Sequence, residues 1–529
     1  VGGTLAIGNY TDANAQGAGG SSIRIQNSSA NVTFDQTNIS NTTQSTARTI
    51  DTVTFIATND NDDGQAIFLV DNTGDFTTNS GTISDIGNWA GGTPNNELER
   101  NQTAAAVDVR RASFSAPNGL SITPRVNATS DSAGPALRIE NPRAGSTNTI
   151  NDLQVRQANT LVQTIDIRAT QSINGARINF SNLNMQNFNL SAGPVFAQAY
   201  RLIMFSGATG TLTNNITGTD ATTTTGCYIT ENTQGFFFEG RDGLVDVNIS
   251  NCRFVDPNAA NAANNSLLVQ SNQNGNIEID ILNNVWTNPV LVSGGANVIA
   301  IQLEAGRSFD PSMQTGGIMN ARVANNNINS VAAGIRWRAG LNGEFVSSRA
   351  IIENNTINAG EDAMQITTNG GYTGSQGADV IVRNNIITST GEQGIEVLAA
   401  EAGAGATGTT DIRLLFDTNT VTTGAGGSEA VLITSIGSFT IQANFTDNPL
   451  DAQSGDEDLL LRINGTGAIC GDVIGNTFAA PTDFFETLLV SGTINIETGV
   501  GQQTPSVGPF TTVADGTCGD PAPGPYTTP

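Results

Sequence analysis

Carboxylates recur at one kind of position in the second half of this 529-residue chain: Glu361 and Asp362, Glu392, Glu429, then Asp456, Glu457 and Asp458, and finally Glu486. Each group stands just before a short apolar run. Three chemistries suit such a series. Two carboxyl groups at a suitable separation can act as acid and base on a glycosidic bond. Clustered carboxylate oxygens can hold calcium. Alternatively, the charges can simply face water on splayed loops. Like charges one strand spacing apart repel by ~0.9 kcal/mol even in bulk water, so a stripe of them implies either solvated loops or a divalent counter-ion. The candidate calcium ligands are Glu361, Asp362, Glu392, Glu429, Glu457 and Asp458; no catalytic set is assigned. A second candidate surface is Arg336-Trp337-Arg338, with Arg322, Arg349 and Arg383 close by in the repeat. Facing outward, these side chains could stack on a sugar or meet the acidic stripe of a neighbouring subunit. Pairing with carboxylates of the same chain is the alternative.

Composition removes most other chemistries. All 22 basic residues are arginine, histidine is absent, and the formal net charge is −26. No lysine amine can form a Schiff base, no imidazole can serve as base or metal ligand, and Ser-His-Asp and Cys-His arrangements are impossible. The acidity argues against a nucleic-acid partner, because no basic stripe exists to neutralise phosphates. No apolar stretch reaches the ~18 residues needed to span a bilayer, so no membrane insertion is expected. Val1-Gly-Gly-Thr4 reads as a processed end. Asn59-Asp-Asn-Asp-Asp63-Gly64 is acidic enough to suggest a calcium loop, but Val70 stands where a closing glutamate would be needed, and a polar hairpin turn is the simpler reading. Sequons such as Asn9, Asn31, Asn101, Asn189, Asn215 and Asn444 are frequent, as chance predicts in a chain so rich in Asn and Thr.

The elements that must position these groups follow from a repeat. From about residue 219 onward, three apolar positions at period two are followed by an asparagine and, two residues later, by a large apolar anchor. The anchors are Ile229, Phe254, Trp286, Ile328, Ile357, Ile387, Val421, Leu450 and Phe478. Two residues before them stand Cys227, Cys252, Asn284, Asn326, Asn355, Asn385, Asn419, Asn448 and Asn476. Upstream alternation such as Val245/Val247/Ile249 and Ile412/Leu414/Phe416 is that of a strand. A second strand follows each anchor, as in Met364-Gln-Ile366 and Leu459-Leu-Leu461. A repeat of 25 to 42 residues with two or three strands and no helical period means an all-β solenoid. Parallel stacking lets each asparagine bond to its equivalent above and below, which explains a polar residue beside the core. The alternative is that the Asn-Asn pairs are only turn residues.

Asn354-Asn-Thr-Ile357 with Asp362-Ala-Met-Gln-Ile366, and Asn384-Asn-Ile-Ile387 with Gln393-Gly-Ile-Glu-Val397, resemble the generic coil of right-handed, single-stranded parallel β-helix proteins of the pectate-lyase-like superfamily. The resemblance covers residues 219–500 well and is looser over 1–218. It implies roughly 17 to 20 coils, with an internal Asn ladder. It also brings catalysis into question. The family's hydrolase branch uses Gly-His-Gly and Arg-Ile-Lys motifs, and many of its lyases use Lys beside Arg over calcium-binding aspartates. Neither set can exist here.

Cys227 and Cys252 share a ladder position on consecutive coils, within disulfide reach. The expected pairs are Cys227–Cys252 and Cys470–Cys518, consistent with an oxidising compartment. Residues 501–529 carry six prolines and read as an extended tail or linker. The chain is therefore expected to be a secreted, non-enzymatic structural or adhesive protein of a cell surface. Its expected partners are copies of itself, end to end or through the tail, or surface glycans. No cofactor is expected beyond possible calcium. The alternative is a polysaccharide lyase or glycoside hydrolase working with Asp or Glu alone.

Overall fold

The computed structural model describes residues 3–12, 22–40, 49–50, 53–54, 65–86, 105–124, 135–156, 164–186, 198–230, 234–255, 265–287, 299–306, 316–330, 332–340, 348–369, 378–400, 411–453, 456–479 and 485–518. The acidic segment 59–64 lies outside them. Among the described residues there is no helix, and strands form three large sheets, sheet 1 of 16, sheet 2 of 15 and sheet 3 of 14 strands, in which every pairing between strands is parallel. A chain that visits three parallel sheets in rotation is a parallel β-helix. Among the described residues each sheet has about fifteen strands, fewer than the 17 to 20 coils expected, and long coils in the first half account for the difference: Ile23 pairs with Ile67 and Ile67 with Val107.

The chain packs as two compact units, one formed by residues 1–238 with 243–261 and the other by 239–242 with 262–529. In the second unit, the anchors stack in one column of sheet 1, Trp286 on Ile328, Ile357, Ile387, Val421, Leu450 and Phe478. In the first unit Ile229 lies beside Phe254. The upstream alternating segments make sheet 3, and Val245, Val247, Ile249, Ile412, Leu414 and Phe416 are buried there. Period-two alternation thus fills the core from two sides, and burial of those side chains, worth ~1.5–3 kcal/mol each, is the main stabilising term.

The Asn-Asn pairs divide the labour. The first member turns the corner between sheets 3 and 1 in the left-handed region: Asn283, Asn325, Asn354 and Asn384 have φ between 53° and 58°. Asparagine tolerates that conformation better than other side chains with a Cβ. The second member points inward. Each of Asn284, Asn326, Asn355, Asn385, Asn419 and Asn448 donates from Nδ2 to Oδ1 of the next, over 2.8–3.2 Å. From Asn326 onward, Nδ2 also donates to a strand carbonyl, for example Asn355 to Val323 at 2.9 Å. Asn476 ends the series by donating to Gln503 Oε1. The turn and the ladder are therefore both present, one residue apart.

Both disulfides are formed, Cys227–Cys252 and Cys470–Cys518. The first occupies the ladder position on two paired strands, with 4.6 Å between Cα atoms. Residues 501–518 are not an extended tail. Thr511–Ala514 adds to sheet 3 beside Thr493–Thr498, and Cys518 is buried.

Candidate functional site

The acidic positions lie at and just before the strands of sheet 2 in the second unit. Counting back from the register of Met364, Ile395, Val431 and Leu459 shows that they do not form one stripe. Asp362, Gln393, Glu429 and Glu457 share a column; Glu361 and Glu392 share another, one residue away; Asp458 aligns with Ala430. Glu486 belongs to a further column, with Gln365 and Glu396. Acidic residues that look equivalent in the sequence therefore fall in different columns.

Amides break the remaining column. Gln393 donates from its backbone N to Asp362 Oδ1 at 3.3 Å and from Nε2 to Glu429 Oε2 at 3.1 Å. Glu429 also faces Arg462 at 3.7 Å. Buried Asp458 accepts from the backbone N of Ala452 at 2.6 Å and of Ala479 at 2.7 Å, so its role is to tie two loops. Burial first, then the neighbouring Glu486 carboxyl group, raises Glu457. Among the described residues, no three His, Cys, Asp or Glu side chains are arranged to hold a metal ion, so the six proposed calcium ligands do not form one site.

The chemistry-bearing cluster that does form centres on Asp362. Gln365 Nε2 donates to Asp362 Oδ2 at 3.4 Å and to Glu396 Oε2 at 2.5 Å, holding the two carboxyl groups on either side of one amide. Burial first, then the charges of Glu396 and Glu392, push Asp362 up to about 7. Exposed Glu392 is also raised, by burial and by the charges of Glu361 and Glu396. Arg336 lies one strand away from Gln365 in register, and the charges of Asp362, Glu304, Glu361 and Glu396 all act on it. A carboxyl group that keeps its proton near neutrality can serve as a general acid.

The expected contact surface at Arg336-Trp337-Arg338 needs correction. Trp337 is 0% exposed and stacks in register between Leu303 and Ile366 in the core. Period-two alternation requires this: if the arginines face out, the residue between them faces in. Arg338 and the sheet 3 arginines pair within the chain. Arg338 faces buried Glu304 at 3.6 Å. On sheet 3, Arg322 and Arg383 both engage Glu353, and Arg349 and Arg413 both engage Asp379.

In the first unit, the outer face of sheet 2 carries a column with no counterpart in the expectations. Asp108, Arg138, Asp166 and Arg201 succeed one another in register, all buried. Arg138 lies 3.6 Å from both carboxylates, and Arg201 is 3.0 Å from Asp166. Burial opposes ionisation of the two aspartates, yet the surrounding guanidiniums hold both well below the usual range. The signal was present in the sequence, as Val107-Asp-Val-Arg110, Leu137-Arg-Ile-Glu140 and Ile165-Asp-Ile-Arg168 alternate in charge sign at equivalent places.

These sheets define the class, a parallel β-helix with polar ladders both inside and outside its core. No protein-family model, curated protein or solved structure matches the chain.

Proposed function

We propose that this chain is an extracellular structural or adhesive β-helix, of the right-handed pectate-lyase-like type, that associates with further copies of itself. The observation that carries this reading is the apolar surface at the C-terminal coil. Of the seven large apolar side chains exposed among the described residues, four are Leu488, Val490, Val500 and Val507, within twenty residues of one another. Large apolar side chains left exposed along one stretch of chain are candidates for an association surface. The two disulfides suit an oxidising compartment outside the cell, and satisfied ladders suit a scaffold that must stay rigid. Sedimentation velocity over a hundredfold range of concentration tests the reading. Concentration-dependent assembly that is lost in a Val490→Asp, Val500→Asp double variant supports it. Monomer at every concentration would remove self-association.

A second reading, a polysaccharide-acting enzyme using carboxyl groups alone, is favoured by one arrangement: Asp362 near neutrality, Glu396 across Gln365, and Arg336 beside them. Incubation with a panel of acidic and neutral polysaccharides tests it. Chain shortening that disappears in Asp362→Asn and Glu396→Gln variants of unchanged circular dichroism would make this the leading function. Calcium finds no support as a cofactor in the arrangement of the six carboxylates.

A further inference from the structure

In the second unit, the strands of sheet 1 from Asn327–Ser330 onward alternate between core and surface. Ile328, Ile357, Ile387, Val421 and Leu450 are buried, so the residues on either side of them face outward. These outward residues form two columns. One holds Asn327, Thr356, Ile386 and Thr420 in register, and Pro449 and Thr477 continue it. The other holds Asn329, Asn358, Thr388, Thr422 and Asp451. None of these eleven residues is buried, and eight of them carry a hydroxyl or an amide.

Asp451, near one end, is the one charged residue among them. The outer faces of the other two sheets differ. Sheet 2 carries Glu304, Arg336, Arg338 and Glu396, and sheet 3 carries Arg322, Glu353, Asp379 and Arg383. A chain of net charge −26 thus keeps one face nearly free of charge. In the first unit the outward positions of sheet 1 include Arg156 and Arg253, so the uncharged face belongs to the second.

We propose that this face docks a neutral polysaccharide chain, laid along the columns and across the strands. Hydroxyls and amides both donate and accept hydrogen bonds, as sugar hydroxyls do. An anionic polymer would find no guanidinium among these residues, and Glu361 and Glu392, on the turns that follow two of the strands, would repel it. A cationic partner would find one carboxylate, and an apolar partner only Ile386 and Pro449. The groups also repeat. Successive coils place equivalent side chains ~4.8 Å apart, a step close to the length of one sugar unit, so a repeating polymer meets a similar donor and acceptor at each coil. Asn358 Nδ2 donates to Asn329 Oδ1 at 3.1 Å, which orients two of the amides before a partner arrives. The inference rests on the adhesive half of the proposed function and gives it a partner class; it uses none of the carboxyl groups of sheet 2.

Depletion of the full, oxidised chain from solution by insoluble cellulose, chitin and curdlan tests the surface. The wild type should be retained on at least one of them, equally at about 0.05 M and about 0.5 M sodium chloride, because no ion pair is involved. An Asn358→Glu, Thr420→Glu double variant, which puts a charge on each column, should bind about fivefold more weakly or worse. Gln442→Glu, on the outer face of sheet 3, should bind like the wild type. Should the double variant misfold, Thr388→Arg takes its place, and wild-type retention with its salt dependence decides if neither folds. No retention on any of the three polymers would overturn the proposal. So would retention that the face variants keep, that salt abolishes, or that occurs only on alginate or polygalacturonate. Sedimentation velocity reads self-association and chain shortening reads catalysis, so a failure of glycan binding is distinct from a failure of either reading of function.

Discussion

Replacing Asp362 with asparagine should stabilise this protein, and only at neutral to alkaline pH. The side chain is buried, and its carboxyl group moves from an ordinary 3.8 to about 7 in the fold. Each pKa unit corresponds to ~1.36 kcal/mol, so the ionised group costs the folded state on the order of 4 kcal/mol. The folded chain holds this proton more tightly than the unfolded chain does. The site is therefore neutral to stability below about pH 4, becomes unfavourable between about pH 4 and pH 7, and carries its full cost above that. Asparagine copies the shape of the protonated acid, and its oxygen can still accept from Gln393 N. Thermal unfolding followed by circular dichroism should show Asp362→Asn melting roughly 4–7 °C above wild type at pH 8. At pH 4 the two should melt within about 1 °C of each other. An equal shift at both pH values would refute the linkage argument, and a lower melting temperature at pH 8 would show that the ionised carboxylate is stabilised by its surroundings.

Asn355→Ala should destabilise by ~2–4 kcal/mol, because it strands the amide groups of Asn326 and Asn385 and the Val323 carbonyl inside the core. Asn354→Gly, one residue away at a left-handed corner, should change stability by less than ~1 kcal/mol, and denaturant melts of the two variants check the contrast. Arg138→Ala should cost ~3–5 kcal/mol at pH 7, since Asp108 and Asp166 each lose a buried partner; a melt indistinguishable from wild type would show that the other arginines suffice. Reduction should remove about 3.5 kcal/mol through Cys227–Cys252 and about 4 kcal/mol through Cys470–Cys518, following loop lengths of 25 and 48 residues. Single Cys→Ser variants separate the two contributions.

Much of the core was legible in advance. The anchors from Trp286 to Phe478 and the inward Asn column occur at the expected positions, because inward residues must alternate and a buried amide must find a partner on the next coil. The outer faces were harder to read. Glu361 and Asp362 are adjacent in the chain yet belong to different columns, and Gln393 occupies the place that a continuous acidic stripe would have given to Glu392. Trp337 could have been placed inside by the same alternation that placed Ile335, had its arginine neighbours not drawn attention to the surface. The Asp108–Arg138–Asp166–Arg201 column was missed because alternation marks those positions as outward, and outward ordinarily means solvated. Here those four outward positions are themselves buried.

By itself the sequence determined the class of fold, the strand register of the second half, the two disulfides and the absence of lysine and histidine chemistry. These depend on residue type and on spacing along the chain, both of which are local. Only the tertiary structure decided which carboxyl groups lie together, which are neutralised by arginine or by backbone amides, and how residues 501–518 pack on the preceding coil. Those outcomes depend on distances between coils some 30 residues apart in sequence and on burial set by neighbouring strands, and a shift of a single residue in register exchanges one partner for another.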